Sequence, residues 1–305
     1  MPGRDGKLIH PMHALLTALL AHGPVVTDGA WGTQLQARGL AIGEFPDAWN
    51  LSHPERVSEV ARAYVNAGSR VILTNTFGAN RIRLAENLLA DRVVEINRRG
   101  VEISLAAAVG QAAVFASIGP VGRLLLSGEI TPAEIQAAFA EQARALAQGG
   151  ADALVVETMS DLEEAKLAVA AARTTGLPVV ACMVFDSGKN LDRTMMGTTP
   201  EQAAQALTAA GADVIGANCG QGILGFLPIC QRLRAATNLP IWMKPNAGLP
   251  QLVEDRAVYA GTPEDFAGQV PALIAAGANF IGGCCGTSPD FNAAICRRLK
   301  AELRT

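Results

Sequence analysis

The chain has 305 residues, 50% of them hydrophobic and 17% charged, with 31 glycines, a composition that buries a large core and excludes a disordered or low-complexity protein. A formal net charge of -3, with no basic run longer than the Arg297-Arg298 pair, leaves no electrostatic footprint for nucleic acid or an anionic membrane surface. Gly, Pro, Gln or Asn interrupts every apolar run before it could span a bilayer, and six scattered cysteines suit a reducing cytoplasm better than a disulfide scaffold.

Arg4 and Lys7 ahead of the apolar stretch from Ala14 to Ala21 loosely imitate a signal peptide, but His10 and Pro11 interrupt the pattern. The stretch is read instead as a short helix covering the floor of the fold, within an N-terminal extension of residues 1–23. Eight short β-branched runs then follow in order: Val25 to Asp28, Val71 to Asn75, Val114 to Ile118, Ala153 to Glu157, Val179 to Val184, Asp213 to Asn218, Ile241 to Lys244, and Asn279 to Gly283. Most are almost continuously apolar, as strands covered on both faces must be.

Ala-rich helical stretches separate these runs. Their start signals are Ser52-His53-Pro54-Glu55, Thr131-Pro132, Ser160-Asp161, Thr199-Pro200, Thr262-Pro263 and Ser288-Pro289, where a capping hydroxyl precedes proline or an acid. Gly68, Gly149-Gly150, Gly176, Gly211 and Gly277 mark their ends. The recurrence describes an α/β chain of residues 1–305 folded as a single (β/α)8 barrel; a doubly wound open sheet gives similar local signals, and the eight repeats favour closure.

Polar residues gather just after the strands: Asp28-Gly29, Asn75-Thr76, Gly119-Pro120, Glu157-Thr158, Asn218-Cys219-Gly220, Lys244-Pro245-Asn246 and Cys284-Cys285-Gly286. In a barrel these positions form the rim where chemistry is built. Three of the six cysteines stand there, whereas Cys182 lies within the fifth strand and Cys230 and Cys296 on helices, where they read as small buried hydrophobes. Adjacent strand residues face opposite ways, so Cys284 and Cys285 can serve one ion only if the backbone turns; Gly282, Gly283 and Gly286 permit the dihedrals such a turn needs. Cys219, beside Gly220, approaches from two strands away. Three thiolates with an open fourth position are a catalytic zinc arrangement, and a thiol entering that position becomes a nucleophile near neutral pH. Spacing by itself also allows plain buried cysteines or a strained redox disulfide.

The runs Thr27-Asp28-Gly29-Ala30-Trp31-Gly32-Thr33, Asn50-Leu51-Ser52-His53-Pro54, Thr74-Asn75-Thr76-Phe77-Gly78-Ala79-Asn80-Arg81, Glu157-Thr158, Asn218-Cys219-Gly220, Pro245-Asn246-Ala247-Gly248 and Gly282-Gly283-Cys284-Cys285-Gly286-Thr287 together resemble the homocysteine S-methyltransferase family, over roughly residues 24 to 300. The likeness is greatest to the homocysteine-binding barrel of its cobalamin-dependent members. It implies zinc (Zn2+) on Cys219, Cys284 and Cys285, homocysteine supplying a fourth sulfur, and Asp28 and Glu157 receiving the substrate's ammonium, which needs opposite charge once desolvated. Asp28 could equally be a turn residue in Asp-Gly, and Glu157 an acid at a helix N-terminus. Asn75, Thr76, Asn218 and Asn246 are expected around the pocket, or else bonded to loop backbone.

Members of the family draw on betaine, sulfonium compounds or methylcobalamin. Gly78 follows Phe77 and Thr158 follows Glu157, where the betaine type resembles itself in aromatic residues, so an aromatic cage for a quaternary ammonium is not expected. The segments Glu157 to Asp161 and Asn75 to Arg81 look like the cobalamin-dependent type, whose further domains do not fit in 305 residues; methylcobalamin on a separate corrinoid protein is therefore the expected donor. S-methylmethionine or S-adenosylmethionine is the alternative, and a non-catalytic thiol- or zinc-binding subunit is the rival class.

Overall fold

The computed structural model describes residues 12–253 and 256–302. Residues 1–11 of the N-terminal extension, including Arg4, Lys7, His10 and Pro11, lie outside the described residues.

Eight parallel strands, β1 (Val25–Val26), β2 (Val71–Ile72), β3 (Ala113–Ile118), β4 (Ala153–Met159), β5 (Val179–Met183), β6 (Val214–Gly222), β7 (Ile241–Asn246) and β10 (Ala278–Ile281), form one sheet in the order β1-β10-β7-β6-β5-β4-β3-β2. Between them run α2 (Gly32–Gln36), α3 (Trp49–Ser52), α4 (Pro54–Asn66), α5 (Arg81–Ala85), α6 (Val93–Ala108), α7 (Pro132–Gln148), α8 (Leu162–Arg173), α9 (Pro200–Ala210), α10 (Ile223–Ala236) and α11 (Pro263–Ala275), and α12 (Pro289–Glu302) follows β10. The seam between β1 and β2 has no ladder. It is held by the Arg70 N–H donating to the Val26 carbonyl (2.8 Å), the Ser69 hydroxyl to the Thr27 carbonyl (3.1 Å) and the Leu73 N–H to the Asp28 carboxylate (2.7 Å). The architecture is the expected single (β/α)8 barrel. No helix among the described residues is long and apolar enough to cross a membrane.

The period of two along each strand separates two cores. Val26, Ile72, Val114, Ala116, Leu154, Val156, Val179 and Ala181 face the helices. Val25, Val71, Phe115, Ala153, Val155, Val180, Cys182, Val214, Trp242 and Phe280 fill the barrel interior. Trp242 lies between Phe115 (ring centroids 6.0 Å apart) and Phe280 (5.3 Å), and a Cβ at Gly216 would run into the Trp242 carbonyl, so glycine there permits the close approach of the β7 backbone. The stretch expected over the floor is α1 (Ala14–Leu20), and its Leu16 and Leu19 join the same interior cluster.

Thr131 and Thr199 close capping boxes with Glu134 and Gln202, and Thr262 caps α11 through the Asp265 N–H. Two start signals shift: Asp161 rather than Ser160 accepts from the first turn of α8, and Ser52 ends α3 while His53 precedes α4. The expected glycine stops all appear, with left-handed φ at Gly68, Gly150, Gly176, Gly211 and Gly277. A hairpin of β8 (Pro250–Val253) and β9 (Arg256–Tyr259) interrupts the connection after β7. The sequence reading has no counterpart for it, because Gly248-Leu249-Pro250 reads as an ordinary turn.

Candidate active site at the barrel mouth

β10 stops at Ile281, so Cys284 and Cys285 lie in a turn rather than on a strand. The segment is threaded between the ends of β1 and β7. Gly283 N–H donates to the Asp28 carbonyl (3.0 Å), Cys284 N–H to the Pro245 carbonyl (2.8 Å), and Ala247 N–H to the Cys285 carbonyl (3.0 Å). Thr287 locks the turn: its hydroxyl donates to the Cys284 carbonyl (2.7 Å) and accepts from the Ala30 N–H (3.1 Å). Of the three glycines expected to supply unusual dihedrals, Gly286 does so with φ +80°. Gly282 and Gly283 serve close approach instead, since a Cβ there would meet Thr27 and Asp28 in one case and the Thr287 side chain in the other. Cys219 sits in an irregular stretch of β6 with φ +64°, a left-handed conformation that costs a non-glycine residue about 1–2 kcal/mol and is concentrated at functional sites.

These two turns bring the Cys219, Cys284 and Cys285 sulfurs within 4.8 Å of one another, with 3.8 Å between Cys219 Sγ and Cys285 Sγ. A tetrahedral ion with zinc–sulfur bonds near 2.3 Å holds its sulfurs about 3.8 Å apart, so the donor set fits that group. Without a cation the three thiols oppose one another's ionisation. A hydrogen bond from Cys284 favours the Cys219 thiolate, but the bond to Cys285, together with burial and the Cys285 charge, outweighs it and pushes Cys219 up to about 12. For Cys284 the hydrogen bond with Cys219 and burial act upward together, beyond the bond from Cys285 that favours its thiolate. Cys182 and Cys230 are buried as expected, whereas Cys296 is only partly so.

Two residues beyond Phe115, Val155 and Trp242, and so on the same inward-facing positions, stand Ser117, Glu157 and Lys244; Asn218 stands four beyond Val214. Together they make the polar layer between the apolar interior and the sulfurs. Ser117 Oγ donates to Glu157 Oε1 (2.5 Å), and Asn218 Nδ2 donates to Thr158 Oγ1 (2.7 Å) and lies 3.4 Å from Glu157 Oε2 and 3.8 Å from Cys284 Sγ. Burial pushes the Glu157 carboxyl above its ordinary value, with Lys244 and the Ser117 bond pulling the other way. Asp28 is completely buried. Lys244 Nζ donates to its Oδ1 (2.5 Å), while Trp31 Nε1 and the Leu73 N–H, each at 2.7 Å, donate to Oδ2.

The other expected pocket residues divide. Asn75 Nδ2 is spent on the Pro46 carbonyl (2.8 Å) and Asn50 Oδ1 (3.0 Å). Thr76 donates to the Ser117 carbonyl (2.8 Å), and its methyl lies against Gly100 of α6, outside the barrel. Both stitch the loop after β2. Asn246 is buried, and its Oδ1 has no hydrogen-bond partner among the described residues, which leaves it free to meet a ligand. Sequence reasoning placed Lys244 on the rim and Thr287 in the cysteine run without giving either a role, and it did not single out Ser117 or Tyr259. A lysine ending the apolar run Ile241-Trp242-Met243 was a readable signal, because a buried ammonium requires a partner. Tyr259, whose side chain lies on Gly286 next to Cys285, belongs to the unforeseen hairpin and carried none.

A sequence model of the family described as homocysteine S-methyltransferase matches residues 25–299. The chain is 32% identical over 293 residues to the methionine synthase of Mycobacterium tuberculosis (strain ATCC 25618 / H37Rv), covering 90% of this chain and 24% of that protein. It is 31% identical over 300 residues to the methionine synthase of Mycobacterium leprae (strain TN), covering 92% and 25%. The chain thus spans about a quarter of the length of these curated relatives. Among solved structures, the homocysteine methyltransferase MmuM from Escherichia coli in its metallated form superposes with a TM-score of 0.77 at 25% identity, covering 92% of this chain and 99% of that one.

Proposed function

Because the chain belongs to the homocysteine S-methyltransferase family, we propose that it methylates the sulfur of homocysteine to give methionine, with zinc held by Cys219, Cys284 and Cys285. The observation that carries this reading is the convergence of three sulfurs within 4.8 Å from two strand ends, at a spacing suited to a tetrahedral ion with one position left for substrate. Zinc bound there supplies acidity to an incoming thiol, which then reacts as a thiolate near neutral pH.

The chain's own residues bind and orient. Glu157, held by Ser117 and Asn218, receives the homocysteine ammonium, and Asn246 offers its open Oδ1. Asn75 and Thr76 shape the loop behind the pocket, and Asp28 acts from beneath it. Trp242 and its aromatic neighbours seal the floor against water. The substrate sulfur attacks the methyl carbon in line with the leaving group, a carbon–sulfur bond forming as the donor's bond to the methyl breaks. Positioning and fixed charge are what the protein contributes to such a transfer.

Similarity to the methionine synthases supports methylcobalamin as the donor, presented by a corrinoid-carrying protein or domain that docks over the rim. The likeness to MmuM, matched over 99% of its length, supports a second reading, a small sulfonium donor such as S-methylmethionine or S-adenosylmethionine entering the same mouth. The test is methionine formation by zinc-loaded protein from homocysteine with methylcobalamin, S-methylmethionine, S-adenosylmethionine and betaine in parallel. Slow transfer from free methylcobalamin and none from betaine is expected; turnover with betaine alone overturns the donor assignment. Full turnover by metal-free protein overturns the zinc reading, and no methionine from any donor favours a non-catalytic thiol-binding subunit.

A further inference from the structure

Two carboxylates and one ammonium are enclosed beneath the sulfurs. Asp28 and Lys244 are 0% and 3% exposed and form an ion pair at 2.5 Å. The remaining Asp28 oxygen is already filled by Trp31 and by the Leu73 N–H, and the Leu73 bond forms part of the β1–β2 seam. Glu157 is differently placed. Its hydrogen-bonding neighbours Ser117 and Asn218 are neutral, one of them at 3.4 Å, Lys244 attracts it only through space while bonded to Asp28, and the Asn218 amide that touches it also reaches toward Cys284 Sγ. A buried charge without a partner is costly, so the group has room for one more cation, on the Glu157 side, next to the sulfurs.

We propose that Lys244 is a specificity-determining residue: it neutralises Asp28 inside the barrel, leaving Glu157 as the single carboxylate that receives a substrate ammonium. Taken as a unit, Asp28, Lys244 and Glu157 carry one net negative charge, which matches a thiol bearing one ammonium and disfavours a thiol bearing none. Burial opposes the charge on Lys244, but Asp28 and Glu157 outweigh it and hold the ammonium protonated. The inference rests on the reading of the site as an amino-thiol pocket, and it changes the role of Asp28 from a substrate contact to a fixed anion that closes the barrel and holds Lys244.

The test compares binding of L-homocysteine and of 4-mercaptobutanoate, which lacks the amine, to the zinc-loaded chain by calorimetry. Wild-type protein is expected to favour homocysteine. In E157Q that preference falls ten- to hundredfold, the scale of a charge-assisted hydrogen bond. In the double variant D28N/K244M both thiols bind more weakly, yet the preference stays within about threefold of wild type. K244M alone strands a second anion in the pocket and widens the preference severalfold, which a purely structural lysine would not do. Melting supplies a readout independent of ligand: K244M lowers Tm by about 5–10 °C, and adding D28N recovers part of that loss, because removing one partner of a buried pair costs more than removing both. Loss of preference in D28N/K244M equal to that in E157Q refutes this proposal alone and returns Asp28 to the substrate. Binding of neither thiol by wild-type protein refutes the amino-thiol reading and this proposal with it.

Discussion

Replacing Gly283 by alanine tests how tightly the cysteine turn is determined. The added methyl would lie 2.5 Å from Thr287 Cγ2 and 2.7 Å from its Cβ, against an ordinary carbon contact of about 3.5–4.0 Å, so something must move by about 1 Å. Thr287 cannot yield by itself, because its hydroxyl is bonded to the Cys284 carbonyl (2.7 Å) and the Ala30 N–H (3.1 Å). The displacement therefore reaches Cys284 and Cys285, whose bonds to a metal tolerate only about 0.2 Å. Overpacking of this kind costs about 1–3 kcal/mol of stability, and a shifted ligand frame costs about 10- to 100-fold in metal affinity. Gly268, in the interior of α11, is the control, because a methyl added there would meet nothing within 4 Å. Gly268→Ala should stabilise the helix by about 0.5–1 kcal/mol and leave zinc affinity unchanged. Competition for zinc against a chromophoric chelator, with melting curves on the same samples, reads both effects. Wild-type zinc affinity in Gly283→Ala would refute the reasoning.

Other outcomes follow from the same geometry. Burial pushes the Glu164 carboxyl from 4.5 up to about 7, against the hydrogen bond it accepts from the Val121 N–H. The folded chain then holds a proton that the unfolded chain releases, so this group's contribution to stability falls as pH rises from about 4.5 to 7 and levels off above. Glu164→Gln should flatten the fall in stability measured by denaturant titration between pH 5 and 8, by at most about 3 kcal/mol; an unchanged slope would contradict the burial argument. Leu16→Ala removes a fully buried side chain from the barrel floor and should cost about 2–5 kcal/mol in the same titration, whereas a cost below about 0.5 kcal/mol would mean that α1 is not part of the core.

The barrel was legible because its evidence is local and repeated. Each of the five expected helix stops has a glycine that the structure places in the left-handed region, and the strand cores are apolar runs with period-two neighbours facing two different cores. The cysteine trio was legible from its rim positions and flanking glycines, although Gly283 turned out to matter for close approach rather than for its dihedrals. What the sequence hid were pairings across large separations. Nothing local says that Lys244 crosses the barrel to Asp28, 216 positions away, or that Thr287 ties Cys284 to Ala30. For the same reason Asp28 and Glu157 looked equivalent on the page: residue type announces a carboxylate, and only the fold tells which one already has its cation. Asn75 and Thr76 illustrate the converse, polar residues beside a site whose side-chain donors go to backbone carbonyls, of Pro46 in one case and of Ser117 on β3 in the other.

Zinc-edge X-ray absorption on the metal-loaded chain, recorded before and after adding homocysteine, bears most directly on the arrangement at the mouth. Three sulfurs with one lighter ligand, becoming four sulfurs at about 2.3 Å on addition of the thiol, is the expected result. Fewer than three sulfurs at the start, or a spectrum that homocysteine leaves unchanged, would contradict it.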